Sequence, residues 1–465
     1  MTDPKSGSER RGIEGVPPSS ALADEGPDPA VLDRVLREAD YKQRLSSDAE
    51  DLLRLEATWR EGALAEPSRR FCLRLTEVAE RLEYALLDVG ARGNREYAFF
   101  AEAVSLARWL AKAVHALLHL RARIRRWLGD RGDLSVFRDE LDAWIGRLSA
   151  RTTAVLAGVR DEAHRLGLAV PTVPYAREDL AFEDARWRLP QDLDAAAAVG
   201  ERERIAEMTT AFLAIADELF MLSLPPPADV PALAAFTRES FGDTRAHEVR
   251  VRMHAIQSSY DAIVAATPLE LADGRLKIFR GYVSILLHLL EATAYLLRLH
   301  ARLTDDVRSA SVRGRIEPLV ERDELLTFAI GFALRDTIVC FREARGCAAE
   351  LLERYSTLAE VELDLPPGRK LHLRPAGLIV RVVQHHGFPV EMGMDDENVD
   401  ARHLMDVILL AAGHPDATKV RFRGDQRALS DLQLLFAHRL GEEGLETLPP
   451  ELSYVRESSR GSPTS

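Results

Sequence analysis

Between residues 70 and 87 the sequence RFCLRLTEVAERLEYALL sets apolar side chains three and four positions apart, the spacing of one helix face. The same period runs through 97–128 and 136–166. Breaks rich in Gly, Pro, Asn and Asp fall at Gly90–Asn94, Gly129–Asp133, Val170–Tyr175 and Leu224–Pro231. From Pro29 to Leu358 the pattern therefore predicts long helices. After Leu358 the period changes. Val361–Leu365 alternates apolar and polar residues, as a strand does, and Pro366-Pro367-Gly368 follows as a turn. Leu373 to His385 is amphipathic, with Ala376, Ile379, Val380 and Val383 on one face. Strands are expected at Pro389–Met394, Asn398–Ala401 and Lys419–Arg423, and helices at His403–Ala412 and Leu429–Leu440. The order is β-α-β-β-α-β-α, which an antiparallel sheet with helices on one face accommodates.

Self-comparison of the helical part indicates an internal repeat. Shifting residue 95 onto 274 lays Arg95–Ile124 on Gly274–Leu303 without a gap, with identities that include Phe100/Phe279, Ser105/Ser284, Ala113/Ala292 and Arg123/Arg302. Beyond it, Arg138-Asp-Glu-Leu141 recurs as Arg322-Asp-Glu-Leu325. Two related antiparallel helical bundles, over 29–190 and 191–358, are the expected result. Chance alignment of leucine-rich amphipathic helices is the competing explanation.

Composition narrows the class. The chain has 465 residues, too many for one ordinary core, and its 46% hydrophobic and 29% charged content is that of a soluble globular protein. A net charge of −13 argues against a general nucleic-acid binder. Three cysteines, Cys72, Cys340 and Cys347, form neither a disulfide framework nor a CxxC metal pair. Residues 1–28 are polar and rich in Ser, Gly, Pro and Glu, so they read as a disordered leader without the apolar core of a signal peptide. The most apolar segment, Tyr282–Leu299, is interrupted by His288, Glu291 and Arg298 and reads as a buried helix rather than a membrane span. A cytoplasmic location follows as the default. Residues 446–465 read as a flexible tail.

Chemistry concentrates at Leu371-His372-Leu373-Arg374-Pro375-Ala376. A histidine stands just before an Arg-Pro pair that opens a helix. Helix-start N–H groups lack intrahelical partners and the dipole adds positive potential, so a phosphoryl group on the imidazole would sit in a favourable field beside Arg374. Pro375 in the first turn has no N–H to leave unpaired. His385 and His386 close the same helix as favourable partners of its C-terminal dipole.

The His-x-Arg-Pro-Ala string, the element order and the spacing to the second helix resemble HPr, the histidine phosphocarrier of the phosphoenolpyruvate-dependent sugar phosphotransferase system. The resemblance covers about 361–443, within a domain placed at 359–445. It implies an HPr-like open-faced β-sandwich in which Nδ1 of His372 takes the phosphoryl group. Arg374 would neutralise its charge, and the amides of Leu373 and Arg374 would donate to its oxygens. The docking face would include Gly377, Leu404, Met405 and Ile408. The implied partners are an Enzyme I-like phosphoryl donor and an unknown acceptor or target; no metal or cofactor is called for. The sequence departs from the family at Lys370, usually glycine, at His403, where many Gram-positive members have a regulatory serine, and at Asp406, usually small.

The whole then reads as a mainly α region followed by an α/β domain, with two function classes open. One is a phosphocarrier or phosphorelay protein, more plausibly regulatory than a bulk sugar carrier, whose helical region binds a partner. The alternative is a non-catalytic scaffold that keeps a degenerate docking domain. A self-standing helical enzyme has little support, since the chain shows no Walker loop, dinucleotide fingerprint, zinc-protease motif or nucleophile elbow.

Overall fold

A computed structural model of the protein describes residues 37–61, 66–128, 135–176, 200–265, 267–304, 310–365 and 371–457. The leader at 1–28, the break at Gly129–Asp133, the turn at Pro366–Gly368, Lys370 and the last eight residues of the tail lie outside them.

The first half of the helical region contains α1 (Glu38–Arg60), α2 (Arg69–Asp88), α3 (Ala98–Leu128) and α4 (Ser135–Arg165). Ser68 caps α2 by accepting from the N–H of Phe71. The second half contains α5 (Glu201–Phe220), α6 (Val230–Glu239), α7 (Asp243–Ile263), the short α8 (Pro268–Ala272), α9 (Gly274–Thr304), α10 (Ala310–Ile316) and α11 (Arg322–Leu326). A π-helical stretch, Thr327–Leu334, joins α11 to α12 (Arg335–Tyr355). The run TFAIGFAL that forms it is apolar on every side, and Phe328 to Leu334 are all buried.

The two longest apolar helices, α3 and α9, pack against each other at the centre, flanked by α2 and α4 on one side and by α7 and α12 on the other. Buried side chains from Tyr41 to Tyr355 form one continuous cluster. Helix α9 is long and apolar enough to cross a membrane, but 83% of its most apolar window is buried within the protein. A helix that is apolar all round belongs in a core as readily as in a bilayer.

Charge is buried where the halves meet. Glu83 of α2 and Glu102 of α3 are both gripped by Arg302 of α9, at 3.0 and 3.4 Å. Arg92 reaches Glu102 at 3.3 Å, and Arg108 reaches Glu83 at 2.8 Å. These cations hold the Glu83 carboxyl below the usual carboxylate range despite its burial.

The chain then enters an α/β unit: β1 (Leu358–Asp364), α13 (Leu373–His386), β2 (Glu391–Met394), β3 (Glu397–Asp400), α14 (Leu404–Gly413), β4 (Lys419–Asp425) and α15 (Gln426–Ala437). The predicted order β-α-β-β-α-β-α is the one observed. The strands form an antiparallel sheet ordered β1-β4-β2-β3, and Phe422 of β4 stands opposite both Val361 and Met392. Val420 and Phe422 point under the helices, while Lys419, Arg421 and Arg423 face solvent. Lys419 and Arg421 pair on that open face with Glu362 and Glu360 of β1. One covered and one charged face give the open-faced sandwich that the resemblance implies.

The stretch expected to be loose from 446 is instead ordered to 457. Leu448, Leu452 and Val455 are buried in the core of the α/β unit, with the last two on one short helical turn, α16 (Ser453–Glu457), and the residue just before it. Their four- and three-residue spacing is an apolar face, interrupted in sequence by Pro449-Pro450. Tyr454 lies flat on His385, ring centroids 3.6 Å apart. Its hydroxyl donates to Asp431, which also receives Nε2 of His386 at 2.9 Å. His385 and His386 do occupy the last turn of α13, but their rings are engaged in fastening this terminal segment.

Candidate functional site

His372 is the N-cap of α13, in extended conformation, and no side chain caps the helix. The first intrahelical bond runs from Ala376 N–H to the His372 carbonyl. Pro375 has no N–H, so the amides of Leu373 and Arg374 stand outside the intrahelical ladder at the positive end of the dipole. The His372 side chain is 58% exposed. An incoming group therefore meets an accessible imidazole in front of two free-standing helix-start amides.

A loop arriving from the other end of the domain completes the site. Arg439, Leu440 and Gly441 take three consecutive left-handed conformations, with φ of 50°, 56° and 68°. This reverses the chain after α15 and brings it across the start of α13. Leu440 anchors the turn in the core. The Gly441 carbonyl accepts from Nη2 of Arg374 at 3.2 Å, and the Glu442 carboxylate lies 3.2 Å from Nε2 of His372. Glu442 is itself only 17% exposed, so its charge is held close to the ring.

Gly441 is required twice. Its φ of +68° disfavours any side chain, and an added Cβ would lie 2.9 Å from Cδ1 of Leu378. Gly441→Ala is expected to lower the stability of the domain by about 1–2 kcal/mol and to loosen Arg374 from its carbonyl. Thermal unfolding followed with a probe in the α/β unit checks this; an unchanged midpoint would contradict it.

The expected docking residues divide. Gly377 is open, with nothing within 4 Å of where a Cβ would stand. Met405 is 63% exposed. Leu404 and Ile408 are half-buried against the domain core. Leu409, not picked out from sequence, is as exposed as Met405, and Leu373 on α13 is exposed too. Met405 and Leu409, four apart, share one face of α14. Asp406 sits in the first turn of α14, where its charge suits the dipole, 3.6 Å from Nδ1 of His403.

Glu442 was not legible as a site residue. It lies seventy residues beyond His372, and only the left-handed turn brings it there.

A family model described as the PTS HPr component phosphorylation site matches residues 360–438. No curated protein and no solved structure matches the chain. The matched stretch contains all four strands beyond the first residues of β1, the three helices packed on them, and His372 with Arg374. It stops just short of the turn that delivers Glu442. The C-terminal unit of this chain is thus a PTS-HPr domain, joined to a helical region that no family model recognises.

Proposed function

We propose that the protein is a phosphohistidine carrier or relay, in which His372 accepts a phosphoryl group from an Enzyme I-like donor and the helical region engages a regulatory target. The observation that carries this reading is the Glu442 carboxylate at Nε2 of His372. A carboxylate there favours the tautomer with hydrogen on Nε2 and leaves the lone pair on Nδ1. Nδ1 then attacks phosphorus, the donor's bond to phosphorus breaks, and the new oxygens lie before the amides of Leu373 and Arg374. Arg374, fixed by Gly441, adds a cation beside them. Such a carrier works in the cytoplasm and needs no metal or cofactor.

The test uses the full chain with phosphoenolpyruvate and the Enzyme I of its own organism. Acid-labile, base-stable label on the chain is expected. An unlabelled, folded chain, beside an ordinary HPr that does become labelled, would overturn the relay. It would favour a second reading, a docking module without chemistry, for which Asp406 on the exposed face of α14 speaks. A carboxylate there opposes an acidic donor surface.

We also infer that the helical region is a tandem duplication packed about a pseudo-two-fold axis. Arg151 of α4 meets Glu324 at 2.7 Å, while Arg335 meets Glu140 of α4 at 2.8 Å. With Arg138 laid on Arg322, these two pairs are each other's image, the reciprocity of an isologous interface. Trp144 and Phe328 occupy equivalent positions and touch, rings 5.0 Å apart. Directly after Arg335, which follows the π-helical stretch, the correspondence shifts by one residue at Asp336, so that Thr152 matches Thr337. Each donates its hydroxyl to the carbonyl four residues earlier. One inserted residue absorbed as a π-turn accounts for the shift.

A further inference from the structure

A cavity of about 250 Å³ opens between the end of α3, the start of α4, α9 and α12. Its walls are apolar: Ile124, Phe137, Ile285, Leu289 and Cys340. Its charged residues, among those described, are Glu140, Arg335, Asp336 and Glu343. Arg335 is shared between Glu140 at 2.8 Å and Asp336 at 3.0 Å. Glu343 is exposed and has no ion pair among the described residues. Among the described residues, three carboxylates thus meet one guanidinium. Burial, the largest influence on Asp336, pushes its carboxyl above the ordinary value even with Arg335 beside it.

At the equivalent positions of the first half the described residues are packed together. This comparison rests on the duplication inferred above. With Thr152 on Thr337, Cys340 corresponds to Val155, fully buried, and Glu343 to Gly158. Leu319 covers Gly158 so closely that a Cβ would meet its Cδ1 at 3.1 Å. By the correspondence of Arg138 with Arg322, the counterpart of Leu319 is Ser135, a short polar residue at the start of α4. One half therefore fills the gap with a leucine over a glycine. The other leaves it open and places a carboxylate at its edge. A gap that served only packing would cost stability without return.

We propose that this cavity binds a small amphipathic cation, an aliphatic ammonium or guanidinium compound, whose alkyl part lies on the apolar walls and whose charge meets Asp336 and Glu343. Apolar enclosure with a few convergent polar groups is the usual form of a small-molecule site. The surplus of carboxylates selects the sign of the charge.

The experiment is a calorimetric titration of the full chain at fixed ionic strength with n-hexylammonium, against 1-hexanol and hexanoate as matched neutral and anionic probes. Saturable binding of the ammonium in the millimolar range is expected for a ligand of this size. 1-Hexanol is expected to bind at least about tenfold more weakly, and hexanoate not measurably. Glu343→Gln, at an exposed position that does not endanger folding, should weaken the ammonium about tenfold, and Cys340→Leu should block it by filling the cavity. Absence of saturable binding, equal binding of 1-hexanol, or no change in Glu343→Gln would each overturn the proposal. These outcomes concern the cavity alone and leave the His372 label, measured separately, untouched.

Discussion

His372→Ala is expected to remain unlabelled under conditions that load one acid-labile phosphoryl group on the wild-type chain. The loss should be complete, because among the groups at the start of α13 only the imidazole offers a nucleophilic lone pair near neutral pH. A subtler variant separates positioning from chemistry. Glu442→Gln replaces the carboxylate beside Nε2 by a neutral amide that can also donate, which removes the bias towards hydrogen on Nε2. Phosphorylation should slow by about tenfold, the low end for a lost orienting carboxylate, because His372 is largely exposed and water competes for its ring. The rate at saturating donor should fall while the donor's KM holds. Nitrogen NMR of the imidazole should show hydrogen on Nε2 in the wild type and a shift towards Nδ1–H in the variant. A normal rate with an unchanged tautomer would remove Glu442 from the mechanism. Label retained by His372→Ala would place the phosphoryl group elsewhere and sink the proposed site.

The second large effect is structural. Arg302→Met keeps most of the apolar stem but removes the charge shared by Glu83 and Glu102. Stripping one partner from a buried ion pair costs about 3–5 kcal/mol, and the lower end applies because Arg92 and Arg108 remain. The pH dependence follows from the depressed carboxyl of Glu83. A carboxyl whose folded pKa lies below its unfolded value contributes stability that is fully present above about pH 4.3, the unfolded value. That contribution is lost as pH falls through the folded pKa. The wild type should therefore lose stability on the acid side of pH 4, and Arg302→Met should lose less there, having started lower. Denaturant unfolding of both proteins from pH 3 to 7 checks this; parallel curves would rule it out.

Much of the α/β domain was legible because its strands alternate cleanly and its helices carry one apolar face. Val420 and Phe422 among basic residues mark β4 without ambiguity. Boundaries slipped where caps outrank hydrophobicity. The last helix was expected from Leu429 to Leu440 and runs from Gln426 to Ala437, because Asp425 caps it by accepting from Arg427 N–H. It ends early in a left-handed turn made partly of Arg439 and Leu440, residues that carry no local signal for that conformation. The site was half legible for the same reason. His372 and Arg374 are adjacent in sequence and announce themselves; Glu442 depends on that turn. On α14, the resemblance implied Leu404, Met405 and Ile408 as docking residues; Met405 is exposed, Leu404 and Ile408 are half-buried, and Leu409 is exposed as well. In the helical region the π-helical stretch left no trace, since a run apolar on all sides has no period to disturb.

The reciprocal pairing of Arg151 with Glu324 and of Arg335 with Glu140 bears on how the chain is made. The face of α4 that carries Glu140, Trp144 and Arg151 is finished on the ribosome long before α11 and α12 exist. On the duplication proposed above, it is complementary to itself. On that reading, two nascent chains on one messenger would be able to clasp each other through this face before either has made its own second half. Synthesis becomes a race between tether and neighbour, which the tether wins only when ribosomes are widely spaced or a chaperone holds the face. Slow initiation on the messenger would protect the pairing within one chain as effectively as any contact inside it.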